Sequence, residues 1–428
     1  MDDDSRNAAT EIALATGQVL AVEQASRLPE VARALRNRNF RLFWSGNFLS
    51  NIGTWMQNVA QGWLVLELTN SPFWLGVVGF AGSIPFLFFT LLGGVIADRV
   101  DKRRLLVVTQ TAMMVLAFAL AALAWLRVIT VWEVAVIAFL NGTALSMNAP
   151  SYQAMVPRLV PREDLTNAIA LNSAQFNMSR IVGPTLGGYA MVLLGVAGNF
   201  FLNGVSFLAV LWALFRIRYP DEKLSKHESI WASLRGGFAY LHGERQMRIL
   251  VWMTVAVSLF GIPFLTFIPY FAKDQLHAGA SGLGWLLACS GTGAVLGAVT
   301  VAVMGVIRHR GKLLTVAGLF FFTAIICFSY SRIFALSECL AFCEGFSGIL
   351  MISCFNVSIQ HLSSDEMRGR IMSIYTTSFL GLPPLGALMA GEMSRHMPTG
   401  HALAMMAALA GVSFIGFFSF SRHLRELD

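Results

Sequence analysis

Twelve apolar runs, each close to the roughly 20 residues that an α-helix needs to cross a bilayer, occupy most of this 428-residue chain. They fall near 42–66, 72–97, 104–126, 130–149, 166–194, 198–215, 247–271, 281–306, 313–331, 333–356, 369–394 and 400–420. Hydrophobic residues make up 56% of the chain and charged residues 13%, against about 25% charged in a soluble protein. Within a bilayer the backbone N–H and C=O groups must pair inside the segment, so the runs are expected to be helices. The chain therefore reads as an all-α polytopic membrane protein.

Lys and Arg set the orientation, because they are retained on the cytoplasmic side. With the N-terminus inside, 26 of the 31 cations fall inside; Arg127, Lys273, Arg332 and Arg395 fall outside, and Arg180 lies within a span. Both termini are thus expected in the cytoplasm. The net charge of +7 records this topology and contact with anionic head groups, not nucleic acid. The opening MDDDS is acidic where a signal peptide would be cationic, so none is expected. All five cysteines lie inside runs without CxxC or His/Cys spacing, so neither a metal nor a disulfide is expected.

The runs divide six and six about a cytoplasmic linker, 217–246. Within it Ile230, Trp231, Leu234, Phe238 and Leu241 share one face of a predicted amphipathic surface helix. The expected organisation is a mobile tail over 1–36, a six-helix bundle over 37–216, the linker, a second bundle over 247–421 and a tail over 422–428. The two bundles carry matching features. GGVIADRVDKRR (Gly93 to Arg104) follows the second run and MGVIRHRGK (Met304 to Lys312) follows the eighth. Acidic pairs precede the fifth and eleventh runs, Glu163-Asp164 and Asp365-Glu366. Gly/Pro stretches then interrupt both, IVGPTLGG (Ile181 to Gly188) and GLPPLG (Gly381 to Gly386). An even number of spans per repeat makes the halves parallel, related by an axis along the membrane normal.

On these residues the chain resembles the major facilitator superfamily. GGVIADRVDKRR resembles its signature between helices two and three, and GPTLGG that of its drug/proton antiporters. NFRLFWSGNFLSNIGTWMQNVAQGWLV, with NAPSYQAMVPRLVPREDLTNAIALNS, is similar to the branch containing the enterobactin exporter and the bacterial macrolide efflux pumps. The resemblance covers about residues 37 to 420. It implies two six-helix bundles, twelve transmembrane helices in all, rocking about a central cavity in a bacterial cytoplasmic (inner) membrane. It also implies that Gly94, Asp98, Arg99 and Arg103 gate the cytoplasmic side. The bland alternative is that Asp98 and Arg99 only cap a helix and fix topology. The second hairpin departs from the pattern, with no Asp against Arg308, His309, Arg310 and Lys312.

Polar residues inside spans point to a cavity. Asn47, Asn51, Thr54, Asn58 and Gln61 recur at helical spacing along one face of the first span. Asn172 and Gln175 stand on one face of the fifth, with Arg180 on the next. These are the candidate cavity residues; helix-to-helix hydrogen bonding is the competing reading. Trp44, Trp55, Trp63, Trp74, Phe176 and Trp285 either line an apolar site or serve as packing and interface anchors. Glu344 alone among the carboxylates sits near mid-membrane. It is the candidate proton site, with Arg180 its partner or an attractor of anionic substrate; the competing reading pairs each with amides of its own half. Gly183, Pro184, Gly187 and Gly188 on the fifth span, with Gly293 and Gly297 on the eighth, are the expected contacts between the halves.

The leading expectation is a proton-driven exporter of a small amphipathic compound such as a siderophore, antibiotic or drug. An importer or lysophospholipid transporter of the same fold, and a non-transporting receptor or sensor, are the alternatives. No nucleophile–base or metal constellation occurs in the spans, so an enzyme is not expected. The proton gradient stands in place of a cofactor. The expected partners are the bilayer and a small-molecule substrate, and the chain is expected to be a monomer.

Overall fold

The computed structural model of the chain describes residues 30–99, 101–217, 243–304 and 310–420. The tails over 1–29 and 421–428, the whole of the predicted linker helix and Arg308 with His309 lie outside them. Among the described residues every regular element is helical. The helices are α1 (Arg38–Thr69), α2 (Pro72–Arg99), α3 (Lys102–Trp125), α4 (Val131–Met155), α5 (Leu165–Arg216), α6 (Arg245–Phe260), α7 (Phe264–Tyr270), α8 (Gly279–Met304), α9 (Arg310–Tyr330), α10 (Phe334–Leu362), α11 (Asp365–Gly381), α12 (Pro383–Met393) and α13 (Thr399–Phe420). Among the described residues nine helical stretches are long and apolar enough to cross a membrane.

Local chemistry sets several boundaries. Asp101 opens α3 by accepting from the Arg104 N–H at 2.7 Å, a side-chain N-cap. Glu133 accepts from the Thr130 N–H at 2.9 Å to open α4, the return half of a capping box. The 52 residues of α5 would measure about 78 Å if straight. They do not run straight, because Gly195 takes φ 69°, which only glycine adopts without strain. Beyond it the chain doubles back: the Asn199 amide donates to the Gly187 carbonyl at 2.8 Å.

Helices α1–α5 pack among themselves, chiefly α1 on α5, α2 on α4 and α3 on α5. In the C-terminal set α8 packs on α10, α9 on α10 and α13, and α6 on α13. The sets are bridged chiefly by α5 on α8 and α2 on α12, with smaller contacts of α7 on α1 and α2 and of α11 on α2.

One expectation fails at the start of the chain. Glu30–Arg36 forms a 3-10 turn docked on the rim of the N-terminal helices, not part of a loose tail. Arg33 Nε donates to Asp164 Oδ1 at 2.5 Å and Arg33 Nη2 to the Glu163 carbonyl at 2.7 Å. Asn37 Nδ2 reaches Asp164 Oδ2 at 2.9 Å, and the Ala34 N–H donates to Asn167 Oδ1 at 2.9 Å. Ala34 itself is fully buried, in one apolar cluster with Val156, Leu159 and Val160. Composition misled here, because one small residue and three polar anchors hold the segment. The Asn37 hydrogen bond, and after it those of the Arg33 guanidinium and its charge, hold the Asp164 carboxyl below its ordinary 3.8 against the opposing effect of burial.

Candidate functional site

Several contacts between the two helix sets lie at one end of the molecule, the end of the α1–α2 turn. There Lys273 Nζ, in the π-turn Phe271–Gln275 that follows α7, donates to the Leu66 carbonyl at 2.9 Å and to Asn70 Oδ1 at 3.0 Å. The Arg395 guanidinium stacks 5.2 Å from the Phe73 ring centroid. Pro269 faces Gly62, and Thr266 faces Gly79, where a Cβ would lie 2.9 and 3.0 Å from them. These contacts fall in the half of each helix nearest that end. Toward the opposite end of α5, Ser173, Ala174 and Phe176 stay exposed. Farther along α2 the sets still touch among the described residues, where a Cβ on Gly381 would lie 2.8 Å from Leu87.

The α5–α8 bridge is built on backbone proximity. A Cβ on Gly188 would sit 2.8 Å from the Ala280 carbonyl, and one on Gly284 2.7 Å from that of Pro184. Deeper along the same seam, one on Gly291 would sit 3.0 Å from the Arg180 carbonyl. This corrects the expected interface. Gly188 and Pro184 are in it, but Gly183 faces Trp55 and Ile52, and Gly187 faces Met56, all on α1 of the same set. Gly293 and Gly297 face Phe342 and Phe346 of α10 within the C-terminal set. The reason is angular: at about 100° per residue, Gly284 and Gly291 share one face of α8, while Gly293 and Gly297 are turned toward the other.

Beside this seam lie the two deep ionisable groups. Glu344 on α10 is 5% exposed, and its Oε2 accepts from Ser290 Oγ of α8 at 2.8 Å. Gly345 makes this possible, since a Cβ there would collide with the Ser290 carbonyl; glycine lets the two backbones touch. Arg180 lies on α5, its carbonyl at the Gly291 contact of the same seam, one residue along α8 from Ser290. One glutamate of the C-terminal set and one arginine of the N-terminal set therefore stand beside the seam along which the sets meet.

The polar stripe of α1 separates into parts. Asn58 is exposed and Asn51, Thr54 and Gln61 are half-buried. Asn47 is buried, and its amide donates to the Phe43 carbonyl of its own helix at 2.8 Å. On α5, Asn172 accepts from the Tyr152 hydroxyl, while Gln175 is 1% exposed. Tyr152 stacks on Phe43 with centroids 5.0 Å apart, so this group ties α1, α4 and α5 together. The aromatics largely pack: Trp55 meets Phe176 edge-on at 6.2 Å, and Trp44 Nε1 donates to the Leu171 carbonyl at 3.0 Å.

For the expected gate, the helix carrying Gly94, Asp98 and Arg99 is described to Arg99, but these side chains lie outside the described ones. Arg103 does not reach across to the C-terminal set. Its Nε donates to the Leu214 carbonyl at 2.7 Å and its Nη2 to that of Phe215 at 3.2 Å, capping the end of α5 in its own set.

Two features escaped the sequence reading. Asn203 donates to Gln57 Oε1 at 2.7 Å between buried amides, one residue off the stripe. Lys273 reads in the sequence only as an outside charge. For it a signal existed, because a lone cation just past an apolar run has a helix end within reach.

A family model described as transmembrane secretion effector matches residues 31–428. The staphyloferrin A transporter of Staphylococcus aureus is 22% identical, over 82% of this chain and 88% of its own. The multidrug efflux pump Tap of Mycolicibacterium fortuitum is 25% identical, over 86% and 92%. The enterobactin exporter EntS of Shigella flexneri is 24% identical, over 88% of each. Among solved structures, the nucleoside transporter NupG superposes with a TM-score of 0.73 at 14% identity, covering 89% of this chain and 98% of that one. The D-xylose-proton symporter gives 0.69 at 13% identity, covering 90% and 98%.

Proposed function

Because the chain belongs to the transmembrane secretion effector family, we propose that it is a proton-coupled exporter working by alternating access in the bacterial inner membrane. Its cargo is a small amphipathic compound of the siderophore, antibiotic or drug class. The relatives named for staphyloferrin A, multidrug and enterobactin transport support that class.

The proposed architecture is twelve crossings in two bundles of six, 37–216 and 247–421, with both termini in the cytoplasm. The nine apolar stretches lead to twelve when α5 counts as two across Gly195 and when α1 and α4, long enough but diluted by polar residues, are added. The bridges α5–α8 and α2–α12 are the pairings that a two-fold relation between the bundles exchanges. On this topology the end of the α1–α2 turn is the outer one, and the contacts of Lys273 and Arg395 that join the sets there support an inward-facing form. Asn51, Thr54, Asn58, Gln61, Asn172 and Arg180 then border the path from the cytoplasm.

The observation that carries the reading is the placement of Glu344 and Arg180 beside the α5–α8 seam. Rocking slides α5 along α8 and changes how strongly the two charges act on one another. An intramembrane carboxylate is expensive to hold charged, so a proton arriving as Arg180 recedes stabilises the alternate form. Each cycle then exchanges a proton for a cargo molecule. The gate expected at Gly94, Asp98 and Arg99 belongs to the cytoplasmic end in the outward-facing form.

Proteoliposomes with an imposed pH gradient test the cargo class, offered in turn a catecholate siderophore, a macrolide and a lysophospholipid. Gradient-dependent movement of the siderophore or the macrolide is expected. Movement of the lysophospholipid alone would overturn the reading.

A further inference from the structure

On the opposite side of α1 from its polar stripe, a groove of 360 Å³ separates α1 from the returning limb of α5. Leu42, Gly46 and Leu49 form one wall, Leu208 and Trp212 the other. Its floor is a backbone contact: a Cβ on Gly46 would sit 2.9 Å from both the Ala209 carbonyl oxygen and the Val210 Cα. The walls stand open, with Leu49 52%, Leu208 49% and Trp212 54% exposed. Leu49 lies two residues from Asn51, about 200° round the helix, so the groove does not share the face of the stripe.

Cations head both walls. Arg38 and Arg41, both exposed, open α1, and exposed Arg216 closes α5. The Arg216 guanidinium carbon lies 5.6 Å from the Trp212 ring centroid. Arg103 already caps the last carbonyls of α5, so Arg216 is not needed for that task. At 1.5 Å per residue Arg38 lies about 12 Å, and Arg216 about 10 Å, from the Gly46–Ala209 floor. One leaflet of a hydrocarbon core is about 15 Å deep. The apolar groove thus fits within one leaflet, and the arginines reach its head-group edge.

We propose that this groove is a binding site for one anionic phospholipid, with an acyl chain against Leu49, Leu208 and Trp212 and the phosphate held by Arg216, Arg38 and Arg41. A zwitterionic head group would bring its own cation against three arginines, whereas a phosphatidylglycerol head group brings none. Trp212 suits the boundary between chain and head group, where aromatic rings concentrate. The inference rests on the chain lying in a membrane and not on which compound it carries.

Native mass spectrometry of the purified protein with added phosphatidylglycerol or phosphatidylcholine tests it. The native chain should retain phosphatidylglycerol preferentially, and excess inorganic phosphate should not displace it. Arg216→Gln should weaken that retention about fivefold, the worth of one arginine near an anionic lipid. Arg162→Gln, which removes an equal charge from a different loop, should leave it unchanged. Leu49→Trp, or Leu208→Trp from the other wall should the first variant fold poorly, should lower retention of the lipid by filling the groove. Equal loss in Arg216→Gln and Arg162→Gln would reduce the effect to general surface charge and overturn the proposal. Retention unaffected by both groove-filling variants, or displacement by free phosphate, would overturn it as well.

Discussion

Lys273 spans the two helix sets: its Nζ donates to the Leu66 carbonyl at 2.9 Å, in the last turn of α1. That carbonyl also accepts from the Asn70 N–H at 3.0 Å, and Asn70 takes the left-handed conformation at φ 46°. A cation on the C-terminal end of a helix answers both its open carbonyls and its dipole. Here the cation comes from the other set, so any separation of the sets at that end breaks the contact.

Lys273→Met should therefore favour the form open at that end. A hydrogen bond from a charged donor is worth about 1.5–3 kcal/mol. Lys273 is partly exposed, and screening lowers this to about 1 kcal/mol, a roughly fivefold shift in the equilibrium. Spin-label distances across the end, with labels at Ser71 and Thr399, should lengthen in population while the melting temperature changes little. An unaltered distance distribution would remove Lys273 from the gate.

The seam on α8 gives a paired test. Gly284→Ala puts a methyl against the Pro184 carbonyl of the other set, and Gly297→Ala puts one against the Phe346 carbonyl of the same set, each 2.7 Å away. Overpacking of this kind costs about 1–3 kcal/mol. The first should be felt as a bias against closure and a change in transport rate. The second should be felt as a lower melting temperature with the conformational balance kept. Matching effects on both readouts would contradict the interface drawn here.

The Asp164 clasp carries a pH signature. Its folded pKa lies below the ordinary 3.8, so the carboxylate contributes stability in full above the ordinary value. That contribution is lost as pH falls through the lower, folded value. Asp164→Asn should lower the melting temperature by an amount constant from pH 8 to pH 5, and the difference should close only below about pH 4. Limited proteolysis ahead of Arg38 should speed up in the same variant. A difference that fades between pH 7 and pH 5 would assign the effect elsewhere.

The helical architecture was legible because apolar runs at bilayer length leave the backbone no alternative. The burial of Glu344 was legible for the same reason, since it is the one carboxylate well inside such a run. Its relation to Ser290 was not, because it depends on α8 and α10 touching at Gly345, a rotational setting that spacing does not encode. Gly293 and Gly297 show the same limit: GxxxG marks a close approach but not the partner helix. Arg103 reads as a gate residue by motif, and only the proximity of the α5 terminus reveals its capping role. Gln57 and Asn203, 146 residues apart, carry no local signal of their pairing.

Glu344→Gln tests the central claim most directly. The native protein and the variant would be placed in the same proteoliposomes, with internal pH and cargo movement followed together under an imposed gradient. The native chain should move protons and cargo in opposite directions. Glu344→Gln should still bind cargo, and exchange it without a gradient, while gradient-driven transport and cargo-linked proton flux disappear. Proton flux and gradient-driven export unchanged in Glu344→Gln would contradict the account.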